Sequence, residues 1–229
     1  MIGDPPVLTL RRNFKRPDPK VVAAFAGVPT GFVVDAMGGR GALDYRIKSV
    51  VPLSGIMVGV ALTSDNGPAD NLGLFASLSI AEPGDVLVAS TEGFKVTAIT
   101  GDLLLGMAKN RGVIGFVTDG VVRDLPGILG VGLPTYCTGI TPNSPVKNGP
   151  GSAGLPVVIG GVAIESGDIV IGDADGVVIV PRGRAEEVLK NLEGVRAAEA
   201  KMDAQVKAGM LLPDSVKAIL ASDRVRIVD

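Results

Sequence analysis

The chain has no histidine and no tryptophan among its 229 residues, and a single cysteine, Cys137. Without histidine it lacks the commonest general acid or base near neutral pH and the commonest metal ligand. A Ser-His-Asp or Cys-His relay is excluded. So is a zinc site of the usual His and Cys type, because one thiol cannot build it. Any metal held here must take oxygen ligands, which favours hard cations such as Mg2+ or Mn2+. One cysteine also excludes an intrachain disulfide and fits a reducing compartment. Aromatic residues are scarce at 3%, whereas glycine reaches 32 residues. That balance predicts tight turns and closely packed strands of small aliphatic side chains.

Long apolar runs are missing too. No segment reaches the roughly 18–20 apolar residues that a membrane span requires. The first twenty residues, MIGDPPVLTLRRNFKRPDPK, are polar and proline-rich, without the apolar core of a signal peptide. The expectation is a soluble, cytoplasmic protein with no membrane partner. There is no long basic run, and the net charge is −2. A nucleic-acid surface needs clustered Lys and Arg, so nucleic acid is not an expected ligand. What is present is a hydrophobic fraction of 46% against 20% charged. This supports one substantial core and argues against disorder. Residues 1–229 read as a single domain.

Hydrophobic periodicity and turn residues divide the chain into elements. Helices are predicted over 18–27, entered through Asp18-Pro19, and over 30–37, ending at Gly38-Gly39. A strand follows at 55–63, then a helix from Asp70, as its N-cap, to about Ala81. Pro83-Gly84-Asp85 is a turn into a buried strand at 86–90. A helix at 101–111, capped by Thr100 and stopped by Gly112, leads to a strand at 113–118. Strands dominate beyond this, at 133–138, 156–159, 162–164, 169–172 and 176–180. Asp175-Gly176 marks a hairpin turn. The Pro/Gly-rich stretch 141–154 reads as a surface loop. A long polar helix covers about 182–208, with one more short helix in the tail. Gly-Asp before a strand recurs at Gly84-Asp85 and Gly167-Asp168, which indicates repeated turn chemistry. The pattern predicts a mixed α/β fold, with helices layered around sheets.

Two places carry candidate chemistry. The first turn of the 101–111 helix has amides without intrahelical acceptors, suited to a carboxylate or phosphate. Asp102 lies in that turn, where it can also simply complement the helix dipole. Arg123-Asp124 follows a buried strand and a glycine-containing loop. Arg offers a planar fork to a carboxylate, and Asp a hard oxygen to a cation. A surface ion pair is the competing reading.

Spacing links the two places: Asp102, twenty residues, Arg123-Asp124, then Gly127 three positions on. With Asp70-Asn71-Leu72, Pro83 to Val88, Gly101 to Leu104, Ala108 to Gly112, Asp119-Gly120, Gly160-Gly161-Val162 and Gly172 to Val178, this resembles the class II pyruvate aldolases. These act on 4-hydroxy-4-methyl-2-oxoglutarate or 4-carboxy-4-hydroxy-2-oxoadipate. Their superfamily includes proteins like the regulator of ribonuclease activity A. The resemblance covers roughly residues 20–208. It implies a single α/β/α layered, swivelling-domain-like fold with a long C-terminal helix. It also implies a lyase that releases pyruvate from oxo acids and decarboxylates oxaloacetate, using Mg2+ or Mn2+. By that resemblance Asp124 binds the metal, and Arg123 steadies the enolate oxygen. The amides of Leu103 and Leu104, beside Gly101, hold the pyruvate carboxylate, and Asp102 orders metal-bound water. Glu199, on the C-terminal helix of a neighbouring subunit, completes the site, with Glu193 and Glu187 as alternatives. The implied assembly is a homotrimer or a dimer of trimers. Two departures stand out: Phe75 lies in the helix where the family often has histidine, and Thr100 where it often has an aromatic. The other superfamily activity is non-enzymatic regulation of a ribonuclease or helicase, which does not need Asp102 and Asp124 at metal-binding spacing. Methyl transfer is disfavoured, since no glycine-rich nucleotide loop follows a first strand.

Overall fold

The computed structural model describes residues 6–228. Its strands are β1 (Leu8–Leu10), β2 (Lys48–Ser49), β3 (Met57–Asp65), β4 (Asp85–Ser90), β5 (Ala98–Thr100), β6 (Gly115–Thr118), β7 (Val121–Val122), β8 (Thr135–Cys137), β9 (Gly151–Ala153), β10 (Val157–Ile159), β11 (Val162–Ile164), β12 (Ile169–Gly172) and β13 (Val177–Val180). Its α-helices are α1 (Pro19–Ala23), α2 (Thr30–Ala36), α3 (Leu72–Ile80), α4 (Asp102–Asn110), α5 (Leu125–Val131), α6 (Ala185–Lys207) and α7 (Asp214–Leu220).

Nine strands form the main sheet, in the order β1-β9-β3-β4-β6-β8-β2, with β12 and β13 branching from β3. The parallel centre β3-β4-β6-β8 is built by crossovers through α3, α4 and α5. One edge of β3 is shared: residues 57–60 pair with β12, and residues 64–65 with β9. This branch lets the β12–β13 hairpin fold back over the sheet, so the sheet layer is doubled.

Alternation along the strands sorts the core. Leu62, Leu87 and Phe116 face α3, α4 and α5, in a cluster with Leu74, Leu105 and Ile128. Their neighbours Ala61, Val86, Val88 and Val117 point the other way, toward Val170, Ile179 and the β10–β11 hairpin. The outer face of β12–β13, through Ile169, Ile171, Val178 and Val180, packs on Phe25, Val33 and the start of α6. Strand alternation of period 2 thus feeds three separate apolar layers.

The recurring Gly-Asp is one turn used twice. Glu82-Pro83-Gly84-Asp85 and Glu165-Ser166-Gly167-Asp168 each carry a left-handed glycine, at φ +90° and +100°. The Asp85 carboxylate accepts the Glu82 amide at 2.9 Å, and the Asp168 carboxylate accepts the Glu165 amide at 2.8 Å. Each acid also meets an arginine. Arg16 forks onto buried Asp85 at 2.5 and 3.0 Å, and Arg182 lies 3.6 Å from Asp168. The bond to Asp85 holds the Arg16 guanidinium above its ordinary pKa. Burial pushes the Asp168 carboxyl up, against the pull of the Arg182 and Glu165 amides.

Several expectations need correction. The stretch 141–154 is not wholly loop, because β9 inserts between β1 and β3. The segment 125–131 is a helix despite Pro126 and two glycines. Asn71, not Asp70, is the N-cap residue of α3, and Asp70 instead accepts the Leu72 amide at 2.7 Å. Arg111 and Lys109, which by sequence alone read as solvent-facing, both bond to backbone: Arg111 donates to the Ser79 and Ala81 carbonyls at 3.3 and 3.1 Å. Lys109 likewise caps the Val131 carbonyl at 2.5 Å. The long helix, whose polar composition gives it little reason to cover its own core, does fold onto its own body at first, burying Ala185, Val188 and Leu192. From Arg196 to Lys207 every residue is exposed. Asp18 caps α1 as expected, accepting the Lys20 amide at 2.8 Å.

Candidate active site

The spacing of the acidic and basic residues has a structural cause. β5 and β7 form a short parallel pair, and the Arg123 amide donates to the Thr100 carbonyl at 3.0 Å. The chain leaves this point as α4, runs through β6, and returns alongside it. Twenty residues is the length of that excursion, so Asp102 at its start and Arg123-Asp124 at its end meet.

They meet by interlocking. A Cβ built on Gly101 would lie 2.3 Å from Asp124 Oδ2, and one on Gly127 would lie 2.1 Å from Asp102 Oδ2. Each carboxylate therefore rests against the glycine beside the other, where any side chain would exclude it. The Gly127 of the sequence pattern is explained by this contact. Asp124 adopts the left-handed conformation, φ 59° and ψ 43°, at the N-cap position of α5. A non-glycine residue there stores about 1–2 kcal/mol, less for Asp than for most residues. Arg123 Nε lies 3.1 Å from Asp124 Oδ2, and its Nη1 donates to Ser144 Oγ.

These groups line a cavity of about 370 Å3 with Asn71, Phe75, Leu103, Leu104, Met107, Ser144, Pro145 and Lys147. Six of the seven site residues expected from sequence therefore come together: Gly101, Asp102, Leu103, Leu104, Arg123 and Asp124. Glu199 does not join them within one chain and lies on the exposed part of α6. Gly101, not Thr100, occupies the N-cap position of α4. The Leu103 amide donates to the Asp102 carboxylate at 2.8 Å, so here it serves its neighbour's side chain. The Thr100 carbonyl, four residues before Leu104, takes the Arg123 amide. The start of α4 thus opens onto the cavity with its dipole positive end.

Asn71, which by sequence alone reads equally as a structural residue near a helix start and as a contact to metal or substrate, lines the cavity. It is buried, and its Nδ2 donates to the Ile99 carbonyl at 2.9 Å. Its Oδ1 is buried without a partner, an arrangement that costs about 1–3 kcal/mol unless a ligand or water relieves it. Ser144 and Lys147 were missed altogether, because a polar loop rich in proline and glycine gives no local signal of function. The other acids are structural. Asp119 accepts the Thr91 and Gly93 amides at 2.8 and 2.9 Å. Asp173 accepts the Thr30 amide at 2.8 Å and its hydroxyl at 2.7 Å, tying α2 to the β12–β13 turn.

Among the described residues no three His, Cys, Asp or Glu side chains cluster closely enough to hold an ion by themselves. The cavity offers hard oxygen ligands from the Asp102 and Asp124 carboxylates, and the unpartnered Asn71 Oδ1 is buried beside it. That donor set fits a cation of the Mg2+ kind, which binds through one or two carboxylates and keeps several waters.

The sequence matches the Aldolase/RraA, or RraA-like, family over residues 30–179, and the chain belongs to that family. It is 36% identical over 200 residues to a Halalkalibacterium halodurans protein provisionally named 4-hydroxy-4-methyl-2-oxoglutarate aldolase, covering 87% of this chain and 92% of that protein. Among solved structures, Streptomyces coelicolor RraAS2, described as an unusual member of the RNase ES inhibitor RraA family, superposes with a TM-score of 0.73. It is 30% identical, over 83% of this chain and all of that one. An uncharacterized Pseudomonas syringae protein gives a TM-score of 0.73 at 26% identity, covering 86% and 96% of the two chains. The aldolase relative supports an enzyme within the family. No described helix is long and apolar enough to cross a membrane.

Proposed function

We propose that this protein is a divalent-metal-dependent lyase that cleaves 4-hydroxy-2-oxo acids to pyruvate and also decarboxylates oxaloacetate. The substrates proposed are 4-hydroxy-4-methyl-2-oxoglutarate or 4-carboxy-4-hydroxy-2-oxoadipate. The observation that carries this reading is the interlocked pair, Asp102 on Gly127 and Asp124 on Gly101, beside Arg123 in one cavity.

The start of α4, where Leu103 lines the cavity, receives the substrate carboxylate. Arg123 turns its guanidinium to the 2-oxo oxygen, where negative charge develops. Asp124 shares that guanidinium and keeps its orientation. A hard cation held at Asp124, with Asp102 ordering its waters, would supply fixed positive charge beside the same oxygen. Cleavage begins when the 4-hydroxyl proton leaves to a base. The C3–C4 bond then breaks, C4 becomes a carbonyl, and the electron pair passes to the pyruvate enolate. Protonation at C3 releases pyruvate. In oxaloacetate, loss of CO2 generates the same enolate. With no histidine, the base is a carboxylate or a water held by Asp102 or by Glu199 of a second copy. The proposed assembly is a trimer, or a dimer of trimers, in which α6 crosses to a neighbour.

A ribonuclease- or helicase-binding regulator is the second reading, favoured by the likeness to an RNase inhibitor. One assay separates the two: pyruvate release from oxaloacetate and from 4-hydroxy-4-methyl-2-oxoglutarate, with Mg2+, after EDTA, and after Mg2+ is restored. Release that stops on chelation and resumes with Mg2+ is expected. No release under any condition would favour the regulator, and full activity in EDTA would overturn metal dependence.

A further inference from the structure

Resting on the reading of this cavity as an oxo-acid site, we infer that Lys147 is a specificity-determining residue that binds the second carboxylate of a dicarboxylic substrate. Lys147 lines the same cavity as Arg123 and the start of α4. Arg123 is already paired with Asp124 at 3.1 Å. Among the described residues Lys147 has no ion-pair partner within 4.0 Å. It is the cation of the cavity with no carboxylate set against it.

Its position is fixed on both sides by backbone. The Val146 amide donates to the Ala69 carbonyl at 2.9 Å, and the Asn71 amide donates to the Val146 carbonyl at 3.1 Å. Beyond Lys147, the amides of Asn148 and Gly149 donate to one oxygen of the buried Asp70 carboxylate, at 2.6 and 2.9 Å. Asp70 and Asn71 are therefore a clamp that carries residues 146–149 against α3. Ala69 takes a left-handed conformation, φ 59°, at the base of this clamp. The side chain is guided as well: Lys147 Nζ sits 5.3 Å from the centre of the Phe75 ring. An ammonium held over an aromatic face is attracted to it without being neutralised. It stays free to accept an anion, and its flexible stem can follow one.

The chemistry then assigns the two ends of the substrate. One carboxylate and the 2-oxo group go to α4 and Arg123, and a carboxylate at the far end goes to Lys147. A 2-oxo acid ending in a methyl group leaves that ammonium unused.

The test uses matched pairs that differ only in the far group. With turnover, 4-hydroxy-4-methyl-2-oxoglutarate is compared with 4-hydroxy-4-methyl-2-oxopentanoate in wild type, Lys147→Met and Lys147→Arg. The ratio of kcat/KM, dicarboxylate over monocarboxylate, should fall about 10–100-fold in Lys147→Met, the loss typical of a hydrogen bond to a charged group. Lys147→Arg should recover most of it. Without turnover, calorimetric titration in Mg2+ compares 2-oxoglutarate with 2-oxopentanoate. Wild type should prefer the dicarboxylate, and Lys147→Met should lose that preference. An unchanged ratio or preference in Lys147→Met overturns the inference, as does a wild type that binds both acids equally. Because the titration needs no catalysis, a protein that binds dicarboxylates through Lys147 yet cleaves nothing would sink the lyase reading alone.

Discussion

The charge on Arg123 matters less than its shape. Lysine keeps the charge but loses the planar fork that spans Asp124 and Ser144 and that the proposed mechanism turns to a substrate oxygen. Arg123→Lys should lower kcat by about 10²–10³-fold, the usual cost of removing one aligned donor from a developing oxyanion. Turnover within a factor of two of wild type would reduce Arg123 to a surface residue. Gly127→Ala makes a sharper test, because the added methyl falls 2.1 Å from Asp102 Oδ2. Alanine is the better helix former by about 1 kcal/mol, so the fold should survive. Activity should drop at least roughly tenfold, as expected for a misplaced catalytic group, with an unchanged melting temperature. Equal activity would mean that the carboxylate need not lie where it does. The Asp102–Arg123–Asp124 trio is legible in the sequence through the family resemblance that its spacing carries; taken singly, an acid complementing a helix dipole and a surface ion pair compete with it. The glycine contacts are not legible, since a glycine's neighbours across a fold leave no local mark. Lys147 was hidden for the same reason, its position depending on Asp70, seventy-odd residues earlier.

Elements with regular apolar alternation announced themselves: β3, β4, β6 and the β12–β13 hairpin all lie where periodicity put them. β9 did not, because Gly151-Ser152-Ala153 has no β-branched residue, and it is a strand only through its pairing with β1 and β3. α5 was masked by Pro126 and by glycines that serve packing at 127 and a left-handed C-cap at 132. The composition of α6 was read correctly as polar, yet its first turns carry Ala185, Val188 and Leu192 at helical spacing, and these bury against the α2 layer. Truncating Leu192 to Ala should cost about 2–5 kcal/mol by leaving a cavity there. Met202, on the exposed half, should cost no more than about 0.5 kcal/mol in an isolated subunit. Urea unfolding of the two variants measures both. Equal losses would mean that the exposed half is covered in solution.

That exposed half leads to the scale of the whole molecule. If α6 reaches a neighbour in a closed ring, each cavity draws Arg123 from one chain and Glu199 from the next. Arg123→Ala and Glu199→Ala, each nearly inactive alone, should regain activity when co-refolded, since some interfaces then pair two intact residues. A mixture that stays dead would place both groups in one chain or remove Glu199 from the chemistry. The branched edge of β3 has a separate bearing, on how this protein is made. Its partners there, β9 and β12, are encoded at residues 151–172, long after β3 ends at Asp65. At ordinary synthesis rates of about 5–20 residues per second, this edge waits on the order of 5–20 s for its partners. Every residue lining the candidate cavity lies between Asn71 and Lys147 and leaves the ribosome within that interval. The nascent chain therefore carries every residue that its own cavity is lined with before it can close the sheet beneath it, while Glu199 follows only later; through that wait an unpaired strand is open to any other chain nearby.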